Sequence, residues 1–132
     1  MARVLIVEDE PVVRAIIKRI VESAGHTAIE ASSIQEIRNM EPAPQVALLD
    51  LNLDDSSGEE TVPRCAAVLP KGTPIIVLTG TTDAQKIRGA LRVLHKPIDV
   101  QESEVVKAIE AALGPEEICR TIRDGLEGEP DA

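Results

Sequence analysis

The stretch Val46-Ala47-Leu48-Leu49-Asp50-Leu51-Asn52-Leu53 decides the fold of this chain. Four consecutive apolar residues lead into one carboxylate, and the turn formers Asp54, Asp55, Ser56, Ser57 and Gly58 follow directly. A short apolar run bounded by turn residues reads as a strand buried on both faces, hence a strand of a parallel sheet. In an open α/β sheet, ligands sit outside the carboxyl ends of the strands. Asp50 is therefore aimed at that edge, at the mouth of an otherwise apolar layer.

The same pattern recurs on either side. Ala2–Val7 reads as a first buried strand, stopped by Glu8-Asp9-Glu10. Pro11 suits the first position of a helix, where its missing N–H costs nothing. Val12, Val13, Ile16, Ile17, Ile20, Val21 and Ala24 then repeat at helical spacing, and Gly25 closes the helix. Thr27–Ala31 is a weaker second strand. Ser33-Ile34-Gln35-Glu36 has capping-box form and predicts a short helix through Asn39, ended by Pro42 and Pro44.

Beyond Gly58, residues 59–69 read as a helix. Pro63 requires either a late start near Val62 or an irregular first turn. Pro74–Thr79 is a fourth buried strand, 84–89 a very short helix, and Leu91–His95 a fifth strand ending at Lys96-Pro97. A last helix is capped by Asp99–Glu102, carries the stripe Val105, Val106, Ile109, Ala112 and Leu113, and stops at Gly114-Pro115. Strands alternating with helices predict an α/β domain with a doubly wound, five-stranded parallel sheet.

Composition narrows the function. The 132 residues carry a formal charge of −9 and contain no Phe, Tyr or Trp. The acidic balance disfavours direct contact with nucleic-acid phosphates, and the absence of aromatics leaves no platform for stacking bases. A protein partner with a basic patch, or a cation, suits the charge. Cys65 and Cys119 have no metal-ligand spacing and read as reduced thiols. The first apolar run is too short for a signal peptide or a membrane span. The expectation is a cytoplasmic protein with no membrane association.

The strand ends carry the chemistry. Strand one delivers Glu8 and Asp9, strand three Asp50, strand four Thr79 and Gly80, and strand five Lys96. In a parallel sheet all of these reach one edge, with strands one and three adjacent at the switch point. Three carboxylates gathered there repel one another. A hard divalent cation with oxygen ligands resolves the repulsion, and Mg²⁺ uses few protein carboxylates while keeping several waters. With Lys96 and Mg²⁺ included, the formal charges cancel. A carboxylate beside Mg²⁺, with an ammonium and a hydroxyl in reach, can accept a phosphoryl group. Asp50 would be the nucleophile, and Lys96, the Thr79 hydroxyl and the Gly80 N–H would stabilise the equatorial oxygens.

These motifs, from Arg3 to Leu113, resemble bacterial response-regulator receiver domains of the stand-alone type. The matching pieces are Val4-Leu5-Ile6-Val7-Glu8-Asp9-Glu10-Pro11, Leu48-Leu49-Asp50-Leu51-Asn52-Leu53 with Gly58, Ile76-Val77-Leu78-Thr79-Gly80, and Gly89-Ala90 followed by Val93-Leu94-His95-Lys96-Pro97. The resemblance implies a flavodoxin-like receiver over 1–114. Residues 115–132 read as a C-terminal extension, expected to be a short helix carrying Ile118, Ile122 and Leu126 followed by a mobile acidic tail. It implies Mg²⁺ held by Asp9, Asp50 and the Asn52 carbonyl, with Glu8 acting through water. It implies phosphotransfer from the phosphohistidine of a sensor histidine kinase or histidine phosphotransfer protein to Asp50, with Thr79 as the switch hydroxyl. The output would be binding to a downstream protein target, by a monomer or weak homodimer that is a regulatory phosphoacceptor rather than an enzyme. A cis peptide at Lys96-Pro97 is also implied.

The chain departs from the family pattern at four places. Asp54 stands where Pro is usual, Val93 where Tyr or Phe is usual and Ile98 where Phe is common; the segment from Thr79 to Lys96 is short, which abbreviates the fourth helix. Phosphorylation chemistry is thus better supported than the usual aromatic readout. The alternative is a receiver-like interaction module that is not phosphorylated. An aspartyl-phosphate phosphohydrolase is less well matched, because Asn52 replaces the second Asp of its Asp-x-Asp loop. Asp54-Asp55 reads as a solvated acidic loop, His26 and His95 as structural, and Cys65 as packed. The stripe of Ile118, Ile122 and Leu126 reads as covering the domain's own surface.

Overall fold

In the computed structural model, residues 2–37, 43–53, 55–58, 60–79, 89–95 and 103–113 are described, with the side chains of Asn52, Ser57 and His95 excepted. Five parallel strands form one sheet: β1 (Arg3–Val7), β2 (Thr27–Ala31), β3 (Val46–Asp50), β6 (Ile75–Thr79) and β7 (Arg92–His95). Their spatial order is β2-β1-β3-β6-β7, so the chain reverses its winding across β1 and places β1 beside β3. Between β3 and β6 lies a two-stranded antiparallel hairpin, β4 (Asn52–Leu53) with β5 (Ser56–Ser57). Three helices complete the described fold: α1 (Pro11–Ser23), α2 (Thr61–Val68) and α3, residues 103–113. The doubly wound sheet is the architecture expected from the apolar runs.

Period-two alternation sorts the sheet's side chains into two cores. Leu5, Val7, Ala47, Leu49, Ile75 and Val77 pack with Ile34, Ile37, Val62, Cys65 and Leu69 on the α2 side. Val4, Ile6, Val46, Leu48, Ile76 and Leu78 pack with Ile17, Ile20 and Val21 of α1 and Val105, Ala108 and Ile109 of α3. Every residue of β3 and of β6 is buried, which is why their sequences read as unbroken apolar runs. Burial pushes the Cys65 thiol up to about 12, so this cysteine is a core filler with no thiolate at neutral pH.

Several local expectations change. Along α1 only part of the apolar stripe reaches the core: Val12 is 67% and Ile16 50% exposed, whereas Ile17, Ile20 and Val21 are buried. Val12-Val13 and Ile16-Ile17 are adjacent pairs, and successive residues point about 100° apart on a helix. One member of each pair therefore faces outward. The late start expected at Pro63 is found: the helix begins at Thr61, beside Val62 and two residues after Glu59, and its first turn absorbs the proline. Pro63 is the third helical residue, where an N–H has no partner within the helix, so nothing is lost.

The capping-box helix expected from Ser33 is, through residue 37, a single 3₁₀ turn at Gln35–Ile37. The Glu36 carboxylate accepts the Ser32 N–H at 2.6 Å, one residue before the box's serine. The N–H groups of Ile34 and Gln35 donate instead to Asp55 at 3.2 and 3.1 Å. Asp55 is thus a cap supplied from across the sheet edge, a correction to its reading as a solvated loop acid. The backbone N–H of Ser32 is the main cause that holds the Glu36 carboxyl below its ordinary value, with the Ser32 hydroxyl adding to it. The expected remainder of this helix to Asn39, residues 84–88 of the short helix expected at 84–89, the Lys96-Pro97 bond and the extension at 115–132 lie outside the described residues.

Between β6 and β7, Gly89 has φ +89° and an added Cβ would meet Val62 Cγ1 at 3.0 Å. Two constraints therefore converge on one residue, a left-handed backbone and a close approach to α2. Leu91 N–H then donates to the Ile75 carbonyl at 2.8 Å and starts the register of β7.

Candidate metal and phosphoacceptor site

Asp50 is the last residue of β3, buried to 5% exposure, and Glu8 directly follows β1, buried to 1%. Val7 pairs with Leu49, so the next step of the register brings Glu8 level with Asp50. The carboxylates of Glu8, Asp9 and Asp50 each offer an oxygen, and these lie within 4.8 Å of one another. Glu8 and Asp50 are buried while Asp9 is partly exposed. The site is therefore floored by protein and open on the Asp9 side.

Its positioning begins in the backbone. The Glu8 N–H donates to the Ala31 carbonyl at 3.0 Å, which carries the β1–β2 pairing one residue past the strand. The Glu10 N–H donates to the Glu8 carboxylate at 3.3 Å, so the chain turns tightly around that side chain as it enters α1. Arg14, in the first turn of α1, donates to the Glu8 carbonyl at 2.8 Å and bridges to Glu30 at 3.2 Å. Lys18, one turn later, reaches the other Glu30 oxygen at 3.2 Å. The Lys18 contact, ahead of Arg14, holds the Glu30 carboxyl below its usual range. These exposed pairs contribute little stability individually. Together they tie the Glu8 turn to β2.

On the other side, Thr79 ends β6 and is buried to 1% exposure. Asp50 pairs with Leu78, so Thr79 lies one residue beyond the level of Asp50 on the adjacent strand. Behind Asp50, the Leu51 N–H donates to the Leu78 carbonyl at 3.4 Å, and the Thr61 hydroxyl donates to the Leu51 carbonyl at 3.1 Å.

Of the residues singled out from sequence, Glu8, Asp9 and Asp50 are brought together, and Thr79 is placed on the neighbouring strand at the same edge. Asn52 lies two residues past Asp50 in β4, with its backbone described. Gly80 and Lys96 lie outside the described residues. Arg14, Ser56 and Thr61 were not singled out, and Asp55 was read only as a solvated loop acid. The hydroxyls of Ser56 and Thr61, five apart beside an apolar stretch, were the available signal for two of them.

Three carboxylates are an all-oxygen donor set suited to a hard divalent cation, and the partly exposed Asp9 leaves room for retained water. The residues present fit Mg²⁺.

Comparison with known proteins agrees with this geometry. The family described as the response regulator receiver domain matches residues 4–110. A protein-glutamate methylesterase/protein-glutamine glutaminase 1 of Syntrophus aciditrophicus is 30% identical, over 84% of this chain and 36% of its own length. A second protein of that name series, from Paramagnetospirillum magneticum, is 29% identical over 83% of this chain and 33% of its own. The chain thus spans about a third of the curated relatives it matches. Among solved structures, a response regulator receiver domain protein from Clostridium thermocellum superposes with TM-score 0.73 and 25% identity, covering 90% of this chain and 99% of that one. The receiver domain of a sensor histidine kinase from Pseudomonas aeruginosa, with a magnesium ion coordinated in its active site cleft, gives TM-score 0.69 at 21% identity. It covers 86% of this chain and 98% of that one.

Proposed function

This chain belongs to the response regulator receiver domain family of two-component systems, and from that premise we propose that Asp50 accepts a phosphoryl group from a phosphohistidine donor. The observation that carries the reading is the gathering of Glu8, Asp9 and Asp50 within 4.8 Å at the edge where β1 and β3 meet. Buried carboxylates so close together are costly unless a cation belongs there.

Asp9, Asp50 and the Asn52 carbonyl would hold Mg²⁺, with Glu8 acting through water. Bound there, Mg²⁺ supplies charge stabilisation for the oxygens of a transferring phosphoryl group. The chain's own residues do the rest. An Asp50 carboxylate oxygen attacks phosphorus as the phosphorus–nitrogen bond to the donor imidazole breaks, and the donor ring keeps that electron pair. Lys96 and the Gly80 N–H stabilise charge on the phosphoryl oxygens. The Thr79 hydroxyl, already at the strand edge, turns to the phosphoryl group and reports its presence. The burial of Asp50 and Glu8 restricts water, which slows hydrolysis of the acyl phosphate.

The protein so read is a cytoplasmic regulatory phosphoacceptor. Its partners are a sensor histidine kinase or histidine phosphotransfer protein and a downstream protein target. No described helix is long and apolar enough to cross a membrane. The test is Mg²⁺-dependent labelling by acetyl phosphate or a cognate phosphohistidine protein, followed by mass. A single added phosphoryl group, lost in Asp50→Asn, is expected. An unlabelled wild type with every donor would defeat the reading. Partner affinity indifferent to phosphorylation and to Asp50→Asn would favour the unphosphorylated interaction module, which Val93 supports: it packs its aliphatic side chain against the α2-side core.

A further inference from the structure

We propose that Thr61 is a positioning residue for the loop that follows Asp50. Its hydroxyl, oriented by Ser56, holds the Leu51 carbonyl so that Asn52 is presented to a divalent cation. This rests on the reading of the acidic site given above.

The sheet's hold on the chain weakens just past Asp50. The Leu51 N–H reaches the Leu78 carbonyl at 3.4 Å, whereas the Ala47 N–H, earlier in β3, reaches Pro74 at 3.0 Å. Thr61 takes over at that point. Its hydroxyl donates to the Leu51 carbonyl at 3.1 Å, and its backbone N–H donates to the Gly58 carbonyl at 3.1 Å. One residue therefore closes the loop between Leu51 and Gly58 at both ends.

Ser56 completes the arrangement. Its hydroxyl lies 3.0 Å from that of Thr61. A hydroxyl has one proton, and a carbonyl oxygen can only accept. The Thr61 proton is committed to Leu51, so Ser56 is the donor to Thr61. The order is Ser56 to Thr61 to Leu51, and each bond polarises the next. Ser56 also lies in β5, paired with Leu53 of β4, while Asn52 pairs with Ser57. The strand that carries Asn52 is thus held by the hairpin on one side and by Thr61 at its root.

The setting shows that these hydroxyls are not incidental. Thr61 is fully buried and Ser56 is 6% exposed, in a region that also buries Leu51, Leu53, Val62 and Cys65. Apolar residues would fill this space without needing a partner. Two polar groups persist there with their bonds directed at the one carbonyl between Asp50 and Asn52.

The test is Mg²⁺ titration calorimetry on the full chain, with amide hydrogen exchange at Asn52 as a second readout. Thr61→Val, which keeps the shape and removes the hydroxyl, should weaken Mg²⁺ binding by about fivefold and speed exchange at Asn52. Thr61→Ser should restore binding to within about twofold of wild type, and Ser56→Ala should fall between. A purely structural hydroxyl would lower the unfolding temperature and leave the Mg²⁺ affinity unchanged. A folded Thr61→Val that binds Mg²⁺ like the wild type overturns the proposal. If Thr61→Val does not fold, Ser56→Ala decides, and unchanged affinity and exchange in that variant overturn it. A wild-type chain that binds no Mg²⁺ sinks the reading of the acidic site itself, an outcome distinct from variants that match a binding-competent wild type.

Discussion

Thr79 and His95 are register partners across β6 and β7, the last parallel pair of the sheet. The strand that ends at His95 therefore finishes level with the hydroxyl proposed as the switch, and Lys96 is the next residue in the chain. That relationship sets Thr79 at the edge that also carries Asp50, and the role of Lys96 is the one proposed above. Thr79→Ser should keep acetyl phosphate labelling and its effect on partner affinity, while Thr79→Val should still label but lose most of the affinity change. Lys96→Ala should slow labelling on the order of 100-fold, the scale for removing one donor to developing negative charge. Labelling kinetics by mass and partner binding by calorimetry separate the two roles.

The three carboxylates make stability depend on metal. At 100 times its dissociation constant, Mg²⁺ should raise the unfolding free energy by about 2.7 kcal/mol. Asp9→Asn removes one of three like charges within 4.8 Å. It should unfold at a higher temperature than the wild type without Mg²⁺, and gain little when Mg²⁺ is added. Thermal unfolding with and without Mg²⁺ measures both effects, and equal responses of the two proteins would contradict the assignment of Asp9.

His26 sets a pH dependence remote from the site. Its Nδ1 accepts the Ala2 N–H at 3.1 Å, which anchors the start of β1. Burial, reinforced by the positive N-terminus and opposed by Glu110, lowers its pKa below the ordinary 6.5. The folded state therefore disfavours the charged ring. No stability is lost to this group above the unfolded value, and the loss grows as pH falls from 6.5 toward the depressed folded value, where the unfolded chain binds more protons. His26→Gln should flatten the fall in urea midpoint between neutral pH and pH 5. A slope as steep as the wild type's would assign it to other groups.

Gly89 couples the loop before β7 to α2. Gly89→Ala adds a Cβ at φ +89° and 3.0 Å from Val62 Cγ1, and should destabilise by about 1–2 kcal/mol from the backbone conformation alone. Contact with Val62 adds to that cost, so Val62→Ala should couple with Gly89→Ala in a double-mutant cycle. Additive urea midpoints would show that only the backbone term operates.

The arrangement of strands was legible because parallel-sheet burial leaves a one-dimensional trace. Leu48-Leu49-Asp50 and Val77-Leu78-Thr79 read as apolar runs ending in polar residues because both faces of each strand are covered. A polar group at the end of such a run points to the ligand-binding edge before any contact is known. The convergence of Glu8, Asp9 and Asp50 follows once the strands are parallel and β1 neighbours β3.

The rest depended on contacts between segments far apart in sequence. Asp55 looked like a solvated acid, yet it caps Ile34 and Gln35, some twenty residues away, because the loop after β3 folds against the segment after β2. Which of Val12 and Val13 faces the core depended on how α1 rolls on the sheet. Thr61 and Ser56 carried no local signal beyond being polar, and their use is defined only by the Leu51 carbonyl that they meet. Burial patterning is written residue by residue along a strand, so sequence alone determined the sheet and its acidic edge. A hydrogen bond needs two partners in three dimensions, so only the tertiary structure decided how that edge is held in place.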